Sequence, residues 1–511
     1  MSAAISETVI EAPQISFLDR AGFRGFPWVP AIVLYTISWG WLLFVGDSYW
    51  IDDWIFFKFR GLVYFDLESM GFAPWMKINA ILLNFFGPGF MRLLIFLSFF
   101  VSSIFVFGVT SKFLFLNLWQ RQVLALFFLV LPINTARVAL MNFHYTTALV
   151  MFFIAWYLLL FGKTQLMRSA TLLLFFLSFQ MFTLLVFFIL PISSLFYVSR
   201  IRGLKGATNL LRKNIALVSL PVLYWIARGL FWPGSTEYHS LTQNKINSAI
   251  VFTAFSIMVF LLLLRIVFYS TGEFKASFKI LLTGYFVAFV GLIVYVIFGL
   301  VGYGSKIPIT YLVILFGRSD WFSRHQTLQP LGLSLILIGV IGLLPKFMMK
   351  VAPHFVGLFL AVAVIFNIGF GFEYVVDYKK QIEVIRVLKL DVNLTLSDEV
   401  QIIDQTQFLN ARQRSYRDRD WLGLVALAIG VESANKLSVR TECSVNGEAP
   451  LVLINGPDTH WQALKNWVSD GDMGFEVTID DSPRACKPEL MQQETSSGTI
   501  PILFYFTGAK N

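Results

Sequence analysis

The sequence predicts an α-helical polytopic membrane protein, with about ten or eleven transmembrane segments filling residues 29 to 372 and a small soluble α/β domain after them. Three observations predict it. Of 511 residues, 57% are hydrophobic and only 14% charged, against about 25% charged in an average soluble domain. The 54 phenylalanines crowd into runs such as LLLFFLSFQMFTLLVFFIL at 172–190, too continuous for a helix with one buried face and suited to one apolar on all sides. The basic residues stand in twos and threes between these runs, so the net charge of +9 reads as membrane topology rather than as a nucleic-acid surface.

Residues 1–28 are polar, and the first apolar segment, 29–45, follows Arg20 and Arg24 without an A-x-A cleavage signal. It reads as a retained signal anchor with a cytoplasmic N-terminus. A long acidic and aromatic outer loop, 46–77, comes next. Further segments are expected at 89–110, 122–141 and 146–161. The 31 residues from 169 to 199 would reach about 46 Å as one helix, more than one crossing needs and less than two. A hairpin turning near Ser178 to Gln180 returns Arg200, Arg202, Lys205, Arg212 and Lys213 to the cytoplasm, and the charge rule favours it. The remaining segments fall at 214–232, 247–268, 280–301, 329–344 and 355–372. With eleven crossings, sixteen Lys and Arg lie on the cytoplasmic side and seven (Lys58, Arg60, Lys77, Lys245, Lys306, Arg318 and Arg324) in the outer loops, and residues 373–511 fall outside.

After Phe372 the composition changes. EYVVDYKKQIEVIRVLKL and THWQALKNWV read as helices; EVQIID, LSVRTEC, PLVLIN, FEVTID and PILFYF read as short strands. Cys443 and Cys486, the only cysteines, both fall in this domain, where a disulfide and two separate thiols are both open readings.

The residues able to carry chemistry gather on the outer side. The first outer loop holds Asp47, Asp52, Asp53, Asp66 and Glu68 among Trp50, Trp54, Phe56 and Phe57. A helix over 49–57 would point Asp52 and Asp53 about 100° apart, one toward a reacting group and the other toward a metal or an Arg; a solvated acidic loop is the plainer alternative. Arg137 and His144, then His239, then Arg318, Arg324 and His325 in FGRSDWFSRHQTLQP lie on the same side. Cations for a phosphate and a base for an acceptor are what group transfer from a phosphate-bearing lipid needs, although an Arg at a helix end also serves as a topology or headgroup residue. The run Arg412, Arg414, Arg417 and Arg419 reads as a solvated helix face paired with Asp418 and Asp420. No P-loop, zinc-spaced Cys/His cluster or G-x-S-x-G occurs, and the sequence leaves a divalent metal open without requiring one.

A cytoplasmic N-terminus, one segment, a long outer loop with the acidic pair of YWIDDW, short paired segments and an outer C-terminal domain together resemble the GT-C superfamily of membrane glycosyltransferases. The resemblance covers most of the chain as architecture, but only Asp52-Asp53 as a motif; a WWDYG-type motif is absent. It implies an inverting transfer from a polyprenyl-phosphate-linked sugar to a glycan, lipid or protein acceptor, with Asp52 or Asp53 as base and with Arg318, Arg324 and Arg137 holding the donor phosphate. It implies an integral protein of a bacterial inner membrane, engaged in cell-envelope glycan chemistry. The alternative is a transporter or lipid flippase, which would line a path through mid-membrane with ionisable groups. Acyl transfer would use a His within the bilayer, for which His144 is the candidate.

Overall fold

The structure, a computed structural model, describes residues 22–45, 48–50, 53, 73–199, 203–233, 243–297, 326–390, 399–411, 415–430, 438–440 and 451–480. Five described helices are long and apolar enough to cross a membrane: Phe85–Thr110, Phe143–Phe161, Ile250–Tyr269, Gly272–Val294 and Ala352–Leu390. Shorter apolar helices stand where the other segments are expected, among them Trp28–Leu43, Leu118–Val130, Gln165–Ser178, Thr183–Val198, Leu220–Phe231 and Gln329–Ile341. Large apolar side chains such as Leu230, Phe231, Leu262, Phe268 and Ile365 are exposed, an outer surface that lipid satisfies and water does not.

Helix α1 (Trp28–Trp39) runs into a 3₁₀ turn, Gly40–Leu43. Helix α2 (Ala73–Thr110) is broken once, at Gly87 with φ 75° before Pro88. Proline disfavours helical geometry in the residue before it, and glycine alone takes positive φ without strain. The kink separates the apolar span from a first stretch, 73–86, that occupies the end of the expected outer loop. A reciprocal cap between Asn117 and Gln120 starts α3 (Leu118–Val130). The segment expected at 122–141 stops being α-helical at Val130, because Pro132 cannot continue the ladder; two 3₁₀ turns, Thr135–Val138 and Leu140–Asn142, lead instead into α4 (Phe143–Phe161).

The chain reverses between α5 (Gln165–Ser178) and the following helices α6 (Thr183–Phe187) and α7 (Ile189–Val198). The Phe175 ring lies 4.8 Å from Phe188, whereas one continuous helix would hold them about 20 Å apart. Helix α4 backs both arms, with Phe152 touching Phe175 and Phe187, and Trp156 donating to Ser194 at 2.8 Å. After α8 (Gly203–Lys213), α9 (Ile215–Val218), α10 (Leu220–Phe231) and α11 (Gln243–Tyr269), α12 (Gly272–Ile297) packs along α13 (Gln329–Ile341). That contact is made through glycines: a Cβ on Gly332 would sit 2.6 Å from the Ala288 nitrogen, and one on Gly284 2.7 Å from that of Ile336. Small residues let two helix backbones approach closely where no hydrophobic effect drives them together.

The boundary expected at 372/373 falls inside a single helix. Beyond α14 (Lys346–Met349), α15 (Ala352–Leu390) continues for 39 residues, about 58 Å and nearly twice the apolar thickness of a bilayer. Its upper half presents Tyr374, Asp377, Gln381, Val384 and Leu388, buried at three- and four-residue spacing. Against this stripe sits a sheet of order β2-β1-β3-β4, formed by β1 (Glu399–Asp404), β2 (Ser438–Arg440), β3 (Leu451–Asn455) and β4 (Glu476–Asp480). Strand β1 pairs parallel with β2 and β3, and β4 runs antiparallel to β3. Helices α16 (Asp418–Ile429) and α17 (His460–Asp470) complete the described part. One apolar cluster joins Val400, Ile402, Val452 and Ile454 of the sheet to Leu83, Met91, Ile95, Leu140 and Phe143 of the helix bundle, so sheet and bundle share a core. Cys443, Cys486 and the run PILFYF at 501–506 lie outside the described residues.

Replacing Gly332 with Leu should force α12 and α13 apart and lower the melting temperature of the purified protein, since overpacking costs about 1–3 kcal/mol even where side chains can shift and backbone cannot. Gly357→Leu, where a Cβ meets nothing within 4 Å, should leave the melt unchanged in the same detergent.

Candidate active site

The site is built where α1, α2 and the 131–142 turns end. Arg92, fully buried inside α2, donates to the carbonyls of Val45, at 3.2 Å, and Ser48. Its guanidinium covers the Trp50 ring at 4.3 Å. The first described residues of the outer loop are thereby tied to the bundle. Trp50 and Asp53 close a turn: the Asp53 amide donates to the Trp50 carbonyl, and the Asp53 carboxylate accepts from the Trp50 amide, each at 3.1 Å. The helix expected over 49–57 therefore does not include Tyr49 or Trp50, whose backbone is not helical. Asp53 is 0% exposed, which makes it a turn-forming group rather than a solvated acid.

From the other side, Gln381 of α15 donates to the Tyr49 carbonyl at 2.8 Å and accepts from the Tyr49 amide at 3.5 Å. Its second N–H bonds the Tyr416 hydroxyl at 2.8 Å, and that hydroxyl donates to Asp377 at 2.5 Å. Asp377 also accepts from the Ala411 amide at 3.0 Å. One turn on, Lys380 is paired with Asp404 of β1 at 2.8 Å and with Asn410, all buried. The acidic loop, α15 and the segment before α16 are thus joined in one polar network. Burial, with the Asp377 carboxylate in addition, pushes the Tyr416 hydroxyl well above the ordinary tyrosine range, so it stays protonated in this role.

Aromatic rings connect the network to Arg137. Trp50 contacts Tyr374 at 4.8 Å, Trp41 stacks on Tyr374 at 5.5 Å, and the Tyr374 hydroxyl donates to the Thr135 carbonyl at 3.2 Å. Two residues on, the Arg137 guanidinium lies 3.9 Å from the Trp39 ring and 4.0 Å from that of Phe99. It is 2% exposed, and neither Nη makes a hydrogen bond among the described residues. Cation–π contact holds the charge without neutralising it. The turn around it is braced by Asn134, at φ 55°, whose amide donates to Thr327 at 3.0 Å, and by Asn142, which donates to the Ala136 carbonyl at 2.6 Å. Thr327, two residues after His325 in the sequence, is thereby held against the turn three residues from Arg137. His144, at the start of α4, is buried with its ring 3.9 Å from Tyr145.

Of the residues singled out by sequence, Asp53, Arg137 and His144 are brought to this one end of the bundle, all buried where an aqueous rim is expected. Asp47, Asp52, His239, Arg318, Arg324 and His325 lie outside the described residues, as do Asp66, Glu68, Arg412 and Arg414. No group of three or more His, Cys, Asp or Glu among the described residues could hold a metal ion. Sequence reasoning missed Arg92, although a lone cation inside an apolar helix is a signal. It also missed Gln381, Tyr416 and Asp377, which no spacing marks because their partners lie far off in the chain. Comparison with protein-family models, curated proteins and solved structures returned no match.

Two outcomes check this geometry. Gln381→Leu removes the side-chain partner of the buried Tyr49 amide and carbonyl, and a buried group left unsatisfied costs about 1–3 kcal/mol; hydrogen exchange at Ser48 to Trp50 should rise well above that of the unmodified protein. For Tyr416 the folded pKa exceeds the unfolded one, so its contribution is intact below about pH 10 and is lost as pH rises through the folded value. Melting temperature should therefore fall less steeply above about pH 10 in Tyr416→Phe than in the unmodified protein.

Proposed function

We propose that this protein is an inverting membrane glycosyltransferase of the GT-C type, moving a sugar from a polyprenyl-phosphate donor to a glycan, lipid or protein acceptor on the outer side of a bacterial inner membrane. The observation that carries the reading is the meeting, at one end of the bundle, of the acidic first loop with Arg137, a buried cation whose hydrogen-bonding groups are left over. An acid beside a lipid-phosphate cation is what such a transfer requires. A loop carboxylate takes the proton of the acceptor hydroxyl as its oxygen bonds to the anomeric carbon. The bond from that carbon to the phosphate oxygen breaks, and polyprenyl phosphate leaves with the added negative charge, which a fixed guanidinium stabilises.

The turn geometry divides the acidic pair. Asp53 holds the Trp50 amide, so the base role falls to its neighbour Asp52. Arg137, with Arg318 and Arg324 of the sequence that precedes Thr327, is assigned the phosphate side. The shared core of sheet and bundle ends supports placing the C-terminal domain on the same side as the acidic loop, next to the acceptor.

Sugar transfer from a polyprenyl-phosphate donor by purified variants tests this. Asp52→Asn should slow turnover by about 10² to 10⁴ with donor binding kept. Asp53→Asn should lower the melting temperature as well as the rate. Arg137→Gln should raise the donor concentration required. Asp52→Asn and Asp53→Asn variants that both transfer sugar at the unmodified rate would remove the reading, and lipid translocation without sugar transfer would replace it with a flippase. Separately, a reporter fused after Asn511 should be active only when exported; activity confined to the cytoplasm would reverse the sidedness.

A further inference from the structure

At the other end of α2 lies a cavity of about 240 Å³ bounded by α2, α4, α7, α12 and α13, with Val109, Phe153, Leu190, Val287 and Leu335 in its wall. Three hydroxyls and the indole in that wall are bonded elsewhere. Thr110 donates to Val106, Ser194 to Pro191 and Thr283 to Lys279, each to a backbone carbonyl of its own helix, and Trp156 donates to Ser194. With these donors engaged and the other hydroxyls at its exposed edge, such an apolar cavity is a poor site for water, which needs two to four polar partners, and a good one for hydrocarbon. Its volume is below the roughly 300–1,000 Å³ of pockets that enclose a whole small molecule, so it suits one chain of a larger amphiphile. The mouth lies at Ser193 and Tyr197, both exposed, with Tyr197 against Phe113 and Phe115.

Cations flank this end. Lys112 stands between two wall residues, Thr110 and Phe113, and carries its ammonium 4.2 Å above the Phe161 ring. Lys279 is exposed one helical turn before Thr283 on the same face of α12. No carboxylate is among the described residues that line the cavity. We propose that this cavity binds one acyl chain of an anionic phospholipid from the leaflet on the Lys112 side, with the lipid phosphate held by Lys112 and Lys279. The site is separate from the candidate active site: Thr110 follows Phe99, against which Arg137 packs, by eleven residues of α2, about 16 Å along the helix.

Native mass spectrometry of the full-length protein released from detergent tests it, with phosphatidylglycerol and phosphatidylcholine as probes and no need for catalytic turnover. The unmodified protein should retain one phosphatidylglycerol at least about tenfold more strongly than phosphatidylcholine, a difference of about 1.4 kcal/mol. Val287→Phe, which fills the cavity, should abolish retention of both lipids. Ser193→Phe blocks the exposed mouth without entering the core and should do the same if Val287→Phe fails to fold. The double variant Lys112→Gln/Lys279→Gln should keep the phosphatidylcholine signal and lose the anionic preference. Equal retention by the unmodified and Ser193→Phe proteins would overturn the proposal. So would displacement of phosphatidylglycerol by equimolar polyprenyl phosphate, which would assign the cavity to a donor tail.

Discussion

The arrangement at the acidic-loop end of the bundle hangs on one carboxamide. Gln381 offers a donor and an acceptor in the pattern of a peptide group, and it uses both on the backbone of Tyr49. A loop that leaves a helix and turns into a protein interior must pair its amides and carbonyls or lose several kcal/mol of desolvation free energy. Here side chains do the pairing: Arg92 at the Val45 and Ser48 carbonyls and Gln381 at Tyr49. Because Gln381 also bonds Tyr416, and Tyr416 bonds Asp377, the loop position is set jointly by a membrane helix and the C-terminal domain.

That joint control explains why α15 does not stop at the membrane surface. A flexible link after the last span would let the sheet move independently, and the polar network would then have to be ordered at an entropic cost on each encounter. An unbroken helix that carries Asp377, Lys380 and Gln381 on one face removes that freedom. The buried Lys380–Asp404 pair adds a geometric constraint more than stability, since desolvating two charges offsets much of their attraction.

The bundle handles its cations differently. Arg92, Arg137 and Arg228 lie 3.8 to 4.3 Å from the rings of Trp50, Trp39, Phe99 and Phe182. In a chain with 54 phenylalanines, ring faces are frequent neighbours for a guanidinium. They orient it, and at Arg137, where neither Nη makes a hydrogen bond among the described residues, they do so without cancelling its charge.

Composition and periodicity were enough to read the membrane class, the second apolar segment, the break near Ser178 and four of the strand runs. These follow from local rules: apolar content sets the solvent, and Gly, Pro and charge mark where a helix yields. Asp53, Arg137 and His144 were legible as candidates for the same reason, as polar residues at the ends of apolar runs. The identity of their neighbours was not. Arg92 with Val45 and Ser48, Gln381 with Tyr49, Tyr416 with Asp377 and Asn134 with Thr327 pair residues 39 to 332 positions apart, and nothing in a local pattern selects one distant partner over another. Likewise the end of the 122–141 segment at Val130 and the passage of α15 through residue 373 were settled by packing. Hydropathy registers the change of solvent along a helix, but only the sheet docked on α15 decides that the helix continues through it.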